Sequence, residues 1–180
     1  MKQYAVFLLI GLLAIPLFCC AAVVPQDIRF VTEEYYPLNF VDNGTVQGIS
    51  VDLMEEILNR LGSDADRSSF EVLPWSEAYE RARTIPNTVL FTLSRTPERE
   101  NDFLWAGPFF TDRDFLFTNE GVNLSDAGDI AALKIAVVKE DRSIFSSLKA
   151  GADEKNLIEV MTAEEAISMV DSGSADALAY

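Results

Sequence analysis

Histidine is absent from this chain of 180 residues, and its two cysteines, Cys19 and Cys20, both lie within the first twenty positions. Imidazole acid-base chemistry is thereby excluded, as are thiolate nucleophiles and zinc sites of the usual ligand types beyond residue 20. Positive charge is scarce as well. Fourteen Lys and Arg stand against 29 Asp and Glu, for a formal net charge of -15. Counterion release needs clustered Lys and Arg, and no such cluster occurs, so neither nucleic acid nor an anionic membrane suits this chain as a partner. No metal or other cofactor is implied. Any catalysis would fall to carboxylates, Ser, Thr, Tyr or Lys.

Apolar material, by contrast, is plentiful: 49% of residues are hydrophobic and 11% aromatic, enough for a real core. Part of it sits in the opening segment, where one basic residue precedes an apolar run from Ala5 to Phe18 that ends in small residues. This reads as a secretory signal peptide over residues 1–22, with cleavage after Ala22 and a mature chain from Val23. Leu17-Phe18-Cys19-Cys20 is also an imperfect lipobox, which leaves lipidation of Cys20 open, and an uncleaved anchor is a third outcome. Each places the mature protein outside the cytoplasm. With Cys20 removed or lipidated there is no disulfide, and stability must come from packing. Asn43-Gly44-Thr45 and Asn123-Leu124-Ser125 are glycosylation sequons, relevant in a host that glycosylates.

Strand and helix patterns alternate along the rest. Ile28 to Thr32 reads as a first strand, Asp42 to Thr45 as a hairpin turn with Asn43-Gly44 suited to positive φ, and Gly48 to Leu61 as a helix ended by Gly62. Ser68 to Leu73 is a second strand, after which Pro74-Trp75 opens a helix. Phe115 to Thr118 is a strand, with a domain boundary near Thr111. Beyond it come a helix over about Ser125 to Ala132, strand Lys134 to Val138, helix Ser143 to Ala150, strand Leu157 to Val160, helix Ala163 to Ser172 and strand Ala175 to Tyr180. Such alternation implies α/β sheets with crossover connections.

The organising stretch is Thr88 to Pro108. A short apolar run, Thr88 to Phe91, breaks into Thr92-Leu93-Ser94-Arg95, and a helix start is expected next: Thr96 to cap, Pro97 at the first helical position, Glu98 and Glu100 on the positive end of the dipole. Hydroxyls, free N-H groups and the Arg99 guanidinium then gather at the carboxyl end of a strand, where open α/β sheets bind ligands. An anion cradle is one reading. The other is structural, with Thr92 and Ser94 capping the turn and Arg99 paired with Glu98, Asp102 or another carboxylate.

Thr92 to Arg99, followed by an aromatic, Gly107 and Pro108, resembles the signature of family 3 extracellular solute-binding proteins, the polar-amino-acid receptors of ABC importers. The resemblance runs from about Ile28 to Tyr180 and implies the type II periplasmic-binding-protein fold, with lobe 1 over 23–110 and an incomplete lobe 2 over 111–180. Capture without chemistry is implied. Arg99 would fork onto a ligand carboxylate, Ser94 N-H would add a donor, and Thr92 would accept from the ligand's amino group. Rings from Tyr35, Tyr36, Phe40, Trp75 or Phe91 would enclose the apolar part, Arg95 would select a second acidic group, and a membrane permease would recognise the closed form. Gly48 to Leu53 resembles the family's G-[FI]-x-V-D-[LI] segment, whose Asp, here Asp52, is structural.

Two departures stand out. Glu140-Asp141-Arg142 replaces the small Gly-Ser/Thr turn of the second lobe, leaving Arg142 or Ser143 as donors, and the carboxylate that usually follows the strand ending at Tyr180 falls after the last residue. On this reading Ala175 to Tyr180 would be an exposed sheet edge. Other uses of the fold remain: a dehydratase or lytic-transglycosylase-like enzyme, a sensory domain, or a non-binding remnant.

Overall fold

The structure is a computed structural model describing residues 27–122, 124 and 127–180. The expected signal segment, Cys20, and Asn123 and Ser125 of the second sequon lie outside the described residues. Strand β1 (Arg29–Thr32) is central to a parallel sheet, flanked by β4 (Phe70–Val72) and β5 (Thr88–Leu90). Between β1 and β4 come the antiparallel hairpin of β2 (Phe40–Asp42) and β3 (Thr45–Gln47), then helix α1 (Ile49–Arg60). The hairpin turn is made by Asn43 and Gly44, both at positive φ, as expected of an Asn-Gly pair.

Helix α1 buries one face because its apolar positions recur at helical spacing. Val51, Met54 and Leu58 pack with Phe30, Phe70 and Phe91 into one core. Its outer side is tied down by Arg67, which pairs with Asp52 at 3.0 Å and with Glu55. Helix α2 (Trp75–Thr84) starts where Pro74 predicts and returns the chain to β5.

A second sheet has the order β6-β9-β7-β8. It is built from β6 (Leu116–Thr118), β7 (Ile135–Val138), β8 (Leu157–Val160) and β9 (Ala177–Ala179), interleaved with α3 (Ala127–Ile130), α4 (Arg142–Ala150) and α5 (Ala163–Asp171). Strands β7, β8 and β9 are parallel, and β6 runs antiparallel to β9. Helix α4 is capped by Asp141, which accepts from Ser143 N-H, and ends at Gly151 in the left-handed region. Helix α5 is capped by Thr162, which accepts from Glu165 N-H.

Three expectations are corrected. Ala175 to Tyr180 is no edge: β9 lies between β6 and β7, bonded on both sides, so its all-apolar sequence is what an interior strand requires. The helix after Thr96 does not form. Arg99 N-H bonds back to Thr96 O and Asp102 N-H to Arg99 O, so the segment makes successive turns, and the dipole invoked for the anion cradle has no helix behind it. Helix α3, finally, stops at Ile130, and Ala131 and Ala132, expected within it, lie in a turn, while Ser125 and Asp126 fall outside the described residues. No described helix is long and apolar enough to cross a membrane.

Candidate functional site

Strand ends converge on one cavity. Glu33 and Tyr35 follow β1, Trp75 follows β4, Thr92 and Ser94 follow β5, Asp141 follows β7 and Tyr180 follows β9, and all of them line it. Both sheets therefore turn their carboxyl ends toward the same place, which is where open parallel sheets bind ligands. Arg99, Asp112, Asp114 and Arg142 complete the lining. The cavity encloses about 30 Å³, room for about two water molecules.

Arg99 is the best-fixed charge there. It is only 6% exposed, with Nη1 donating to Ser94 O at 3.2 Å and Nη2 donating to Glu140 O at 2.6 Å. Its guanidinium lies 5.2 Å from the Trp75 ring and 5.1 Å from the Tyr79 ring, so cation-π contact helps offset its desolvation. It pairs with neither Glu98 nor Asp102, and Asp102 is held instead by Arg83 at 3.4 Å. Through Glu140 O, Arg99 joins the segment after β5 to the turn after β7. Both acceptor segments carry unusual backbone nearby: Thr92 has φ 68 and Glu140 φ 64, positions that side chains seldom adopt and that cluster at ligand sites.

The acidic side of the cavity was not singled out in the sequence. Burial pushes the Glu33 carboxyl up to about 8, Asp141 pushes the same way, and Arg99 opposes them. Tyr35 is pushed up to about 12, first by burial and then by Asp112, which accepts its hydroxyl at 3.3 Å. Tyr180 is raised too, by burial and then by Glu33, and its ring stands edge-on to Tyr35 at 5.5 Å. The signal available for Glu33, Asp141 and Tyr180 was their place within three residues of strand ends. Nothing local marked Asp112 or Asp114.

Of the residues named from sequence, Thr92, Ser94, Arg99, Tyr35, Trp75 and Arg142 line the cavity, whereas Tyr36, Phe40, Phe91 and Arg95 do not. Tyr36 is 76% exposed and stacks on Phe40 at 5.0 Å. Phe91 is buried against Phe70 in the α1 core, since β5 ends one residue early and turns its ring inward. Arg95 faces outward, paired with Glu100 and lying over Trp105. Arg142 is held by Asp112 and Asp114. The buried Trp75 Nε1, Thr92 Oγ1 and Ser143 Oγ have no hydrogen-bond partner among the described residues. No group of three residues among those described is arranged to hold a metal ion.

The family model for bacterial extracellular solute-binding proteins, family 3, matches residues 28–154. Among solved structures, an ancestral arginine-binding protein bound to glutamine superposes with a TM-score of 0.69 at 20% identity, over 87% of this chain and 70% of its own. The arginine-, lysine-, histidine-binding protein ArtJ from Geobacillus stearothermophilus gives 0.70 at 18% identity, over 85% of this chain and 66% of its own. A solute receptor for L-cysteine of Neisseria gonorrhoeae gives 0.68 at 18%, over 85% and 63%. No curated protein sequence matches. Identities this low speak to the fold, which is the mixed α/β architecture of the type II periplasmic binding proteins.

Proposed function

Starting from a chain that belongs to the bacterial extracellular solute-binding proteins of family 3, we propose that it works outside the cytoplasm, secreted or lipid-anchored through Cys20. There it captures a small carboxylate-bearing solute, an amino acid, for an ABC permease. The observation that carries this reading is the meeting of a cation and acidic groups in one cavity at the carboxyl ends of the parallel strands of both sheets: Arg99 on one side, Asp141 and the protonated Glu33 carboxyl on the other. A zwitterion matches that pattern. Its carboxylate would be taken by Arg99 with Ser94 N-H, and its ammonium group by Glu33, Asp141 and the free Thr92 hydroxyl, while the Tyr35 and Trp75 rings flank the apolar part. The named neighbours bind amino acids, which agrees with this class of solute.

Amino-acid-sized ligands occupy sites of about 300 Å³ or more, so entry requires the two sheets to part. The Arg99 to Glu140 bond is the contact that would open, and it would reform around the solute. The test is a thermal-shift screen of the chain against amino acids and small carboxylates, with Arg99→Ala alongside. At a hundred times the dissociation constant a ligand should add about 2.7 kcal/mol. A shift lost in Arg99→Ala is the expected result. Absence of any shift, or one that survives the substitution, would overturn the reading.

A further inference from the structure

Arg142 opens α4 and extends its guanidinium into the cavity wall, where Nη2 lies 2.8 Å from Asp112 Oδ2 and 2.7 Å from Asp114 Oδ1. The arrangement is partly enclosed: the side chains of Arg142 and Asp114 are each 17% exposed, and that of Asp112 is 35% exposed. Both carboxylates are also oriented by hydroxyl donors: Tyr35 Oη donates at 3.3 Å to the same Oδ2 of Asp112 that Arg142 contacts, and Ser146 Oγ donates to the other oxygen of Asp114, Oδ2. Two oriented carboxylates around one planar cation describe a receptor for a guanidinium group. Here the guanidinium is the chain's own.

Two further features bear on what this means. The cavity encloses only about 30 Å³ with Arg142 in place, too little for any amino acid. Trp75, 6% exposed and lining the same cavity, leaves its Nε1-H without an acceptor, a cost that a ligand acceptor would remove. We propose that Asp112 and Asp114 form a cation subsite of this cavity, filled by Arg142 until a solute's own guanidinium or ammonium group takes its place. This rests on the solute-binding reading above and narrows it to solutes carrying a cationic side group. Arg142 then acts as a built-in competitor that sets the apparent affinity. A competitor seated nine-tenths of the time lowers apparent affinity about tenfold.

The experiment compares the chain with Arg142→Ala, and with Arg142→Ala carrying Asp114→Asn, by calorimetric titration with agmatine and L-arginine and by melting with methylguanidine. If Arg142→Ala does not melt cooperatively, Arg142→Gln keeps the side-chain stem and serves in its place. Expected are about tenfold tighter binding of agmatine and L-arginine once Arg142 is removed, and loss of that gain when Asp114→Asn is added. Methylguanidine should raise the melting temperature of Arg142→Ala and leave the parent unmoved. Equal or weaker binding after removal of Arg142, or no binding by either form, overturns the proposal. A parent that binds neutral amino acids through Arg99 while Arg142→Ala shows no gain loses this inference alone. Methylguanidine binding to Arg142→Ala, with no carboxylate bound by any form, keeps the subsite and defeats the carboxylate reading.

Discussion

At Glu33, burial, Asp141 and Arg99 all act on one carboxyl, which ties its proton to stability. The folded chain holds that proton up to about pH 8, whereas an unfolded chain releases it near the usual 4.5. Across that window the folded state binds more protons, so this group's contribution is intact below 4.5 and is lost as pH rises toward 8. Glu33→Gln cannot ionise and should remove the loss. Urea unfolding of both forms at pH 5 and pH 9 should show the variant gaining on the order of a few kcal/mol relative to the parent between the two pH values. Parallel pH dependences would mean that the Glu33 charge is solvated in the folded state. Glu33 also illustrates what single residues reveal in sequence. It directly follows a strand, but Asp141 and Arg99, which act on it, lie far along the chain, and nothing local announces them.

Helix α1 shows how far an element can be read from its own residues. Its apolar spacing, the Asn43-Gly44 turn before it and the glycines at both ends are local facts, and the structure follows them. Gly48 at its start has φ 126, and a Cβ there would stand 2.3 Å from Leu38 O, so the helix can begin only where side-chain atoms are missing. Gly48→Ala should cost about 1–3 kcal/mol or more, read as a lowered denaturant midpoint with unchanged slope. A change below a few tenths would show that the Leu38 backbone yields freely. The segment after Thr96 is the contrary case. Cap, proline and acidic residues all favoured a helix, but Arg99 instead donates to Glu140 O, 41 residues away, and lies against two rings. Local preference worth a few tenths of a kcal/mol per residue gives way to long-range contacts of that kind. Strand β9 was misread for a related reason: neighbours β6 and β7 are assigned by topology, which the run Ala177–Ala179 cannot encode.

For the molecule as a whole, the segment that crosses from the first sheet to the second carries several of the most exposed large apolar side chains among the described residues. Leu104 is fully exposed, Phe109 and Phe110 are about half exposed, and Phe115 and Phe117 exceed half, with Phe117 on the edge strand β6. Edge strands with exposed aromatics pair with other chains unless charge prevents it. At net charge -15, repulsion should hold molecules apart at low salt and fade with screening, so sedimentation should show self-association rising with salt. Phe117→Lys should suppress it, and association insensitive to both salt and that substitution would place the contact elsewhere. The two tryptophans divide between these regions. Trp75 lines the cavity beneath the Arg99 guanidinium, and Trp105 lies under Arg95 at the surface. The chain therefore carries its own optical gauge: replacing Trp105 leaves a single emitter, seated in the wall of the proposed solute site beside the guanidinium, so occupancy of that site can be followed by fluorescence with no label attached.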